Sequence, residues 1–275
     1  MPNDRPPTEK ASAAEAPAVS PAAPSWFDNE RLLGWGSVAL VILVWEITTR
    51  ATGVSPLYLP RPTQIVVALL GMFATGELHK DLLATLWRIF AGFGIAIVLG
   101  TALGIWIATS ARVRAIADMY IAMLYPLPKV TLIPLLIIWL GTGGPFMLTI
   151  SFLGAIFPIV INTVLGVRQC DPGLVLAARD LGASPQQIVR RVLLPSAIPS
   201  IFAGIRLGLG VSIILVVAAE MVVGKLGLGA RLYLSGQILE TEQVFAVLIV
   251  LATLGIVVTK VQDFIDVKLG RWRLA

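Results

Sequence analysis

Apolar residues are concentrated in six long runs that are separated by more polar connections. The runs cover approximately 32–49, 82–109, 115–140, 146–167, 198–223 and 243–261. A helix needs roughly 20 apolar residues to cross a hydrocarbon core about 30 Å thick. Each run is close to this length, so the pattern predicts six transmembrane helices. The third run is the least regular, because Asp118, Lys129 and several prolines interrupt it.

Two connections on one side of the predicted bundle are long. Residues 51–81 open with a proline-rich turn and continue as an amphipathic stretch, which predicts a short helix over about 63–74. Residues 224–242 begin with Gly227 and Gly229 and are predicted to be irregular at first and then helical. Two pairs of glycines have the four-residue spacing that lets helices approach closely, and we expect them to pack within the chain, with contacts between two copies as the alternative. They are Gly100 with Gly104 and Gly204 with Gly208.

Composition supports a membrane protein. Only 13% of the 275 residues are charged, and the mean hydropathy is +0.87. A soluble domain of this length carries nearly twice that share of charge. Residues 1–26 are rich in proline and alanine and are predicted to form a disordered N-terminal tail. Residues 27–275 are predicted to form the transmembrane domain.

The distribution of Lys and Arg predicts the orientation. These residues are frequent in the tail, around 112–114, in 168–191 and after 259, and they are sparse in the other connections. Positive residues favour the cytoplasmic side, so both chain ends and the tail are predicted to be cytoplasmic. The expected fold is therefore an all-α integral membrane protein with six spans. The scattered charges also exclude a nucleic-acid-binding stripe, despite a net charge of +5.

Catalytic and metal chemistry has little support. With one cysteine, Cys170, and one histidine, His79, the chain has no intramolecular disulfide and no His-rich metal site. The motifs G-x-x-x-x-G-K-[ST], H-E-x-x-H and G-x-S-x-G do not occur in the sequence. We expect a non-enzymatic chain without a cofactor or metal.

The connection 168–199 has internal order that is unusual for a loop between spans. It reads RQCDPGLVLAARDLGASPQQIVRRVLLPSAIP. Asp171-Pro172 predicts a helix start, and Gly182 predicts its end. Ser184-Pro185 predicts a second helix to about residue 193, closed by Pro195 and Pro199 before the next span. Four apolar residues are expected to form one side of the first helix, available to a partner: Leu174, Leu176, Ala177 and Leu181.

The loop resembles the signature loop of permeases in ATP-binding-cassette (ABC) importers, where an EAA triplet is followed at fixed spacing by Gly and by an Ile-x-Leu-Pro ending. Here Ala177-Ala178 precede Gly182, and Val192, Leu194 and Pro195 form the ending, whereas Leu176 occupies the usual Glu position. Four further segments look like the permeases of nitrate, alkanesulfonate and taurine importers. They are LYLPRPTQI (57–65), PLPKVTLIPLLIIWLGTG (126–143), FPIVINTVLGV (157–167) and VAAEMVV (217–223).

The resemblance implies a multi-pass protein of the bacterial inner membrane that acts as a homodimer, with separate ABC ATPase subunits and an external substrate-binding protein. The substrate class implied is a small anion such as a sulfonate or nitrate. The first loop helix would be the coupling helix that docks on the ATPase. The residues implied in coupling are Leu176, Ala177, Ala178, Arg179, Asp180, Gly182, Ala183, Leu194 and Pro195.

Charged residues within the predicted spans suggest a structural or functional role, because a charged side chain at the centre of a membrane helix costs about 2.5–3.5 kcal/mol of insertion free energy. Arg88 and Arg206 are close to span ends and are expected to snorkel. Lys129 and Glu220 are candidates either for lining the path or for a structural ion pair or interface position. Asn162 either lines the path or hydrogen-bonds between helices. A secondary transporter that uses intramembrane carboxylates as ion sites is the alternative function.

Overall fold

A computed structural model describes residues 30–270, and within them every long element is a helix. Between residues 30 and 270, eleven α-helices follow one another, with a 3-10 turn at Lys129–Leu132 and a π-helical turn at Val189–Leu193. The helices are α1 (Glu30–Thr52), α2 (Pro62–Ala74), α3 (Glu77–Thr109), α4 (Ala111–Leu124), α5 (Ile133–Leu140), α6 (Gly144–Arg168), α7 (Pro172–Asp180), α8 (Pro185–Ile188), α9 (Leu194–Val223), α10 (Leu228–Gln237) and α11 (Thr241–Gly270). The predicted tail at 1–26 lies outside the described residues.

In the described part of the chain, five helical segments are long and apolar enough to cross a membrane, and a bent pair makes a sixth if it counts as one span. The prediction of one continuous helix over 115–140 is wrong, because the bent pair occupies this part of the chain. Instead, α4 and the segment Lys129–Leu140 meet at an angle of 86°. Pro126 and Pro128 lie at the break, where proline removes backbone donors and disfavours helix in the residue before it.

The centre of the bundle is α6, which packs between α3 and α9. Glycines permit these close contacts: a Cβ added at Gly100 would lie 2.9 Å from Ile159 Cγ2, and one at Gly204 would lie 2.7 Å from Asn162 Cβ. Gly104 and Gly208 likewise meet α6, at Thr163 and Ala155. Both glycine pairs therefore pack within the chain, as predicted.

The glycine contacts also give the helix directions. Gly92 and Gly104 of α3 face Ser151 and Thr163 of α6. Residue numbers increase in the same direction along both helices, so α3 and α6 are parallel. Gly154 and Gly166 of α6 instead meet residues 212 and 200 of α9, which is therefore antiparallel. The bundle end that carries 168–193 is called the loop face, and the end that carries α2 and α10 the opposite face.

The second loop helix does not stop before the membrane, contrary to the prediction from Pro195 and Pro199. Residues 185–223 are one continuous helical segment in which α8 passes through the π-helical turn into α9. Pro195 lies in the first turn of α9, and Pro199 is accommodated inside that helix. A π-helical turn contains one residue more than an α turn and is frequent at functional sites. The turn thus joins the loop directly to a membrane helix.

Candidate coupling loop and transport path

Both ends of α7 are fixed by local hydrogen bonds. Asp171 caps the start, where its carboxylate accepts from Gly173 N at 2.8 Å. At the end, Gly182 N donates to Arg179 O and Ala183 N donates to Ala178 O, at 2.8 and 3.0 Å. This pattern is a Schellman motif, which requires a left-handed residue at Gly182, whose φ is +80°. The sequence therefore dictates the start and the end of α7.

The next turn begins as sharply. Ser184 accepts from Gln187 N at 3.4 Å, while Gln187 Oε1 accepts from Ser184 N at 2.8 Å, which is a capping box. Pro185 follows in the first turn, where its missing N–H costs nothing. Four residues, Leu181 to Ser184, thus separate α7 from the helical segment that continues into α9.

The apolar surface of α7 is exposed. Leu174 is 56% exposed and Leu181 is 89% exposed, and Ala177 lies exposed between them on the same side of the helix. Exposed apolar side chains on a short helix outside the apolar spans mark a candidate contact site. Leu174, Ala177 and Leu181 are called the α7 patch below.

Leu176 does not belong to this patch, and the prediction that placed it there is wrong. Successive helical residues turn by about 100°, so Leu176 lies about 160° around the helix from Leu174. It is 59% exposed and shares its side of α7 with Arg179 and Asp180. The residue at the usual Glu position therefore points away from the apolar patch.

The other loop residues divide between surface and core. Arg179, Asp180 and Gly182 are exposed, and Ala178 and Ala183 are half-buried. Leu194 is also half-buried and packs against the buried cluster Val167, Ala197 and Ile201. Leu194 and Pro195 thus start α9, whereas the residues before Ser184 are turned towards the surface.

Lys129 lies at the break between α4 and α5. Its ammonium group donates to Tyr125 O at 2.8 Å and lies 5.2 Å from the ring centres of Tyr125 and Phe157. Two cation–π contacts and one backbone carbonyl stabilise a half-buried charge without neutralising it. The bend therefore presents a positive charge among irregular backbone.

Asn162 makes a contact that differs from the predicted bond between helices. Its side-chain amide donates to Pro158 O, one turn earlier in α6, at 2.8 Å. Its Cβ faces Gly204 of α9. It is half-buried at the seam between α6 and α9.

Glu220 has no exposed surface. Its carboxylate accepts from Thr85 Oγ1 at 2.9 Å, from Arg88 Nη1 at 2.6 Å and from Gly229 N at 3.0 Å. Arg88 also donates to Leu226 O. Its guanidinium is thus bound to protein partners, and the prediction that Arg88 snorkels is wrong. Glu220 thus links α9 to α3 and to the N-terminus of α10.

Asp81 holds the same helix start from the side of α3. It accepts from Gly227 N and from Arg231 Nε, both at 2.9 Å, and Arg231 also donates to Glu77. Burial opposes the charge of Arg231, but its two carboxylate partners outweigh this effect and raise the pKa of Arg231. Asp81, Thr85, Arg88, Glu220 and Arg231 are called the anchor cluster below.

A family model described as the inner membrane component of binding-protein-dependent transport systems matches residues 100–271. The chain belongs to this permease family. It is 33% identical to the taurine transport system permease protein TauC of Escherichia coli K12 over 81% of this chain and 83% of the relative. It is also 33% identical to the aliphatic sulfonates transport permease protein SsuC of Bacillus subtilis 168, over 86% and 85% of the two chains.

The fold of this permease is also that of a solved structure, the MetNI methionine ABC transporter in an inward-facing conformation. The TM-score is 0.61 at 22% identity, and the match covers 71% of this chain and 97% of the other. The predicted all-α membrane fold and the predicted family are thus confirmed. The chain is a multi-pass inner-membrane permease, and the secondary-transporter alternative is not favoured.

Sequence reasoning missed why this permease carries carboxylates in its spans. Glu46 of α1 accepts from Thr63 N and Thr63 Oγ1, both at 3.1 Å, and so holds the start of α2 as the anchor cluster holds the start of α10. Asp81 and Arg231 were not singled out at all. The available signal was the presence of carboxylates in apolar runs together with two short helices that start at Pro62 and near Gly227, since helix starts attract negative charge.

Proposed function

We propose that a homodimer of this permease forms the transport path of an ABC importer for a small anion, and that α7 couples it to a separate ATPase. The single observation that carries the proposal is the α7 patch: a short helix with fixed ends that keeps leucines exposed on the loop face. A groove on a partner would bury these side chains at roughly 1.5–3 kcal/mol each. An external binding protein would deliver the substrate at the opposite face.

The connection from α7 to α9 supports a mechanical role for this contact. Three residues, the short helix α8 and the π-helical turn connect the patch to α9, which packs along α6 through Gly204 and Gly208. Movement of α7 with an ATPase subunit would therefore move α9 without an intervening flexible loop. This is the physical basis on which ATP-driven closure of the ATPase pair would open and close the path.

The experiment that tests this function is a pull-down of the tagged permease from mild detergent, followed by an ATPase assay of the captured material. We expect a stoichiometric ATPase subunit, and we expect Gly182→Leu to lose substrate-dependent ATPase activity because Leu cannot adopt the left-handed turn without strain. A lone chain that moves solute in liposomes under an ion gradient would overturn the proposal.

We further propose that Lys129 attracts the anionic substrate. The relatives TauC and SsuC are named for taurine and aliphatic sulfonates, which carry a sulfonate group. Irregular backbone between membrane helices is stable only where it is buried in protein or lines a water-filled cavity. A cation at such a cavity would attract an anionic substrate. Asn162 and Glu220 stay as weaker path candidates, since they lie at a helix seam and in the anchor cluster.

The variant Lys129→Gln tests this role in proteoliposomes that contain the assembled importer. We expect taurine or alkanesulfonate uptake to fall about tenfold, the effect of one lost ionic interaction of about 1.4 kcal/mol. Arg112→Gln, which removes a cation from an exposed position at the start of α4, is the matched control. Unchanged uptake in Lys129→Gln would refute the role of Lys129 and leave the importer function standing.

A further inference from the structure

A long apolar groove runs between α3 and α11. Its floor is formed by α9 through Phe202, Ile205 and Leu209, and α2 covers it towards the opposite face through Leu69 and Phe73. The volume is 910 Å³. Nothing in the transport mechanism proposed above uses this space.

The polar side chains of the lining are distributed unevenly. Arg206 and Gln262 lie towards the loop face, Thr253 is midway along α11, and every other lining residue is apolar. Arg206 is bound to Asp263 in an ion pair. The groove is therefore polar at one end and apolar along the rest, which is the distribution of an amphiphile.

The length of the groove suits an acyl chain. The α11 residues of the lining run from Ile249 to Ile265, a length of about 24 Å at 1.5 Å per residue. Apolar side chains line the groove along this length except at Thr253 and near the loop face. An extended acyl chain with its polar group at the loop face matches this arrangement.

Charge near the polar end favours an anionic head group. Lys268 follows Val261 by seven residues, which returns it to the same side of α11 just beyond the last lining residue. Lys260 is also cationic, and of the two aspartates in this part of α11, Asp263 is already bound to Arg206. Basic pockets between membrane helices at the cytoplasmic side bind anionic lipid head groups.

We propose that this groove binds a membrane phospholipid with an anionic head group. Its acyl chain would extend along α11 towards α2, and its phosphate would lie near Lys268 at the loop face. The lipid would fill the space that separates α11 from α3 and so fix how α11 packs on the bundle. This proposal does not depend on the transported substrate or on the ATPase.

Native mass spectrometry of the detergent-purified permease, after incubation with phosphatidylglycerol or phosphatidylcholine in mixed micelles, tests the proposal. We expect about one retained phosphatidylglycerol per chain. Thr253→Trp and Val257→Trp fill the groove from exposed positions of α11 and should abolish this retention. Ala252→Trp, on the other side of α11 and also exposed, is the matched control and should retain the lipid.

Lys268→Gln should lower the preference for phosphatidylglycerol over phosphatidylcholine about fivefold, the effect of one cationic side chain near a head group. Arg112→Gln, on the same face but on α4, should leave the preference unchanged. Equal retention in Thr253→Trp and the unaltered chain would overturn the proposal. So would a change in the number of permease copies in Thr253→Trp, because a second copy would then be the occupant.

Discussion

The two ends of the bundle place residues in unfavourable surroundings for opposite reasons. At the opposite face, Glu220 and Asp81 are charged and buried, and each accepts hydrogen bonds from a helix start and from an arginine. At the loop face, Leu174 and Leu181 are apolar and exposed, and no described residue covers them. The first arrangement is complete within one chain, whereas the second leaves apolar side chains that, on our proposal, the ATPase covers.

We therefore expect the buried carboxylates to contribute to the stability of the fold and the exposed leucines to contribute to coupling. A buried carboxylate with its donors is costly to disturb, because the remaining partner would be left charged in an apolar medium. An exposed leucine contributes little to the fold, so its loss is expected to matter only when the partner is present. Substitutions at the two ends should therefore change different measurements.

The largest effect is expected for Glu220→Ala. Arg88 and Gly229 N would lose their buried acceptor, and breaking a buried pair costs about 3–5 kcal/mol in the free energy of unfolding. Thermal unfolding in detergent measures this change. Glu240→Ala, at an exposed position of the same face, should stay within about 0.5 kcal/mol of the unaltered chain. Equal stability of the two variants would mean that the anchor cluster does not hold the fold.

The next effect should appear only in the complex. Leu181→Glu places a charge in the α7 patch, so we expect capture of the ATPase to fall by about tenfold or more, the equivalent of one leucine lost from an interface. Unfolding temperature should not change. Ile238→Glu, an equally apolar and exposed site at the opposite face, should capture the ATPase normally. If Ile238→Glu were as defective as Leu181→Glu, the contact would not be specific to α7.

Two left-handed glycines allow the ends to be compared with one substitution. At Gly227, whose φ is +116°, an added Cβ would overlap the Glu220 carboxylate. At Gly182, whose φ is +80°, an added Cβ would have no atom of a non-neighbouring residue within 4 Å. Gly182→Ala should therefore cost only the backbone strain of about 1–2 kcal/mol. Gly227→Ala should cost clearly more, as unfolding temperatures would reveal. The reverse order would contradict the contacts of Glu220.

The sequence was sufficient for whatever depends on local chemistry. Run lengths gave the membrane helices, and Asp171, Gly182 and Ser184 gave the ends of the loop helices, because caps act over a few residues. It was insufficient where distant elements meet. The continuation of α9 through Pro199 depends on tertiary packing, and the partners of Glu220 are Thr85 and Arg88, more than 130 residues away.

The smallest effect is expected at the position where this chain departs from the signature motif. Leu176→Glu would place a carboxylate on the side of α7 that holds Arg179 and Asp180, three and four residues later. Attraction to Arg179 and repulsion from Asp180 are each worth about 0.2–0.5 kcal/mol and nearly cancel, so stability should not change. Because Leu176 is outside the α7 patch, ATPase capture should also change by less than about twofold. A large gain in capture would instead mean that the partner contacts both sides of α7, and the patch would have to be extended to include Leu176.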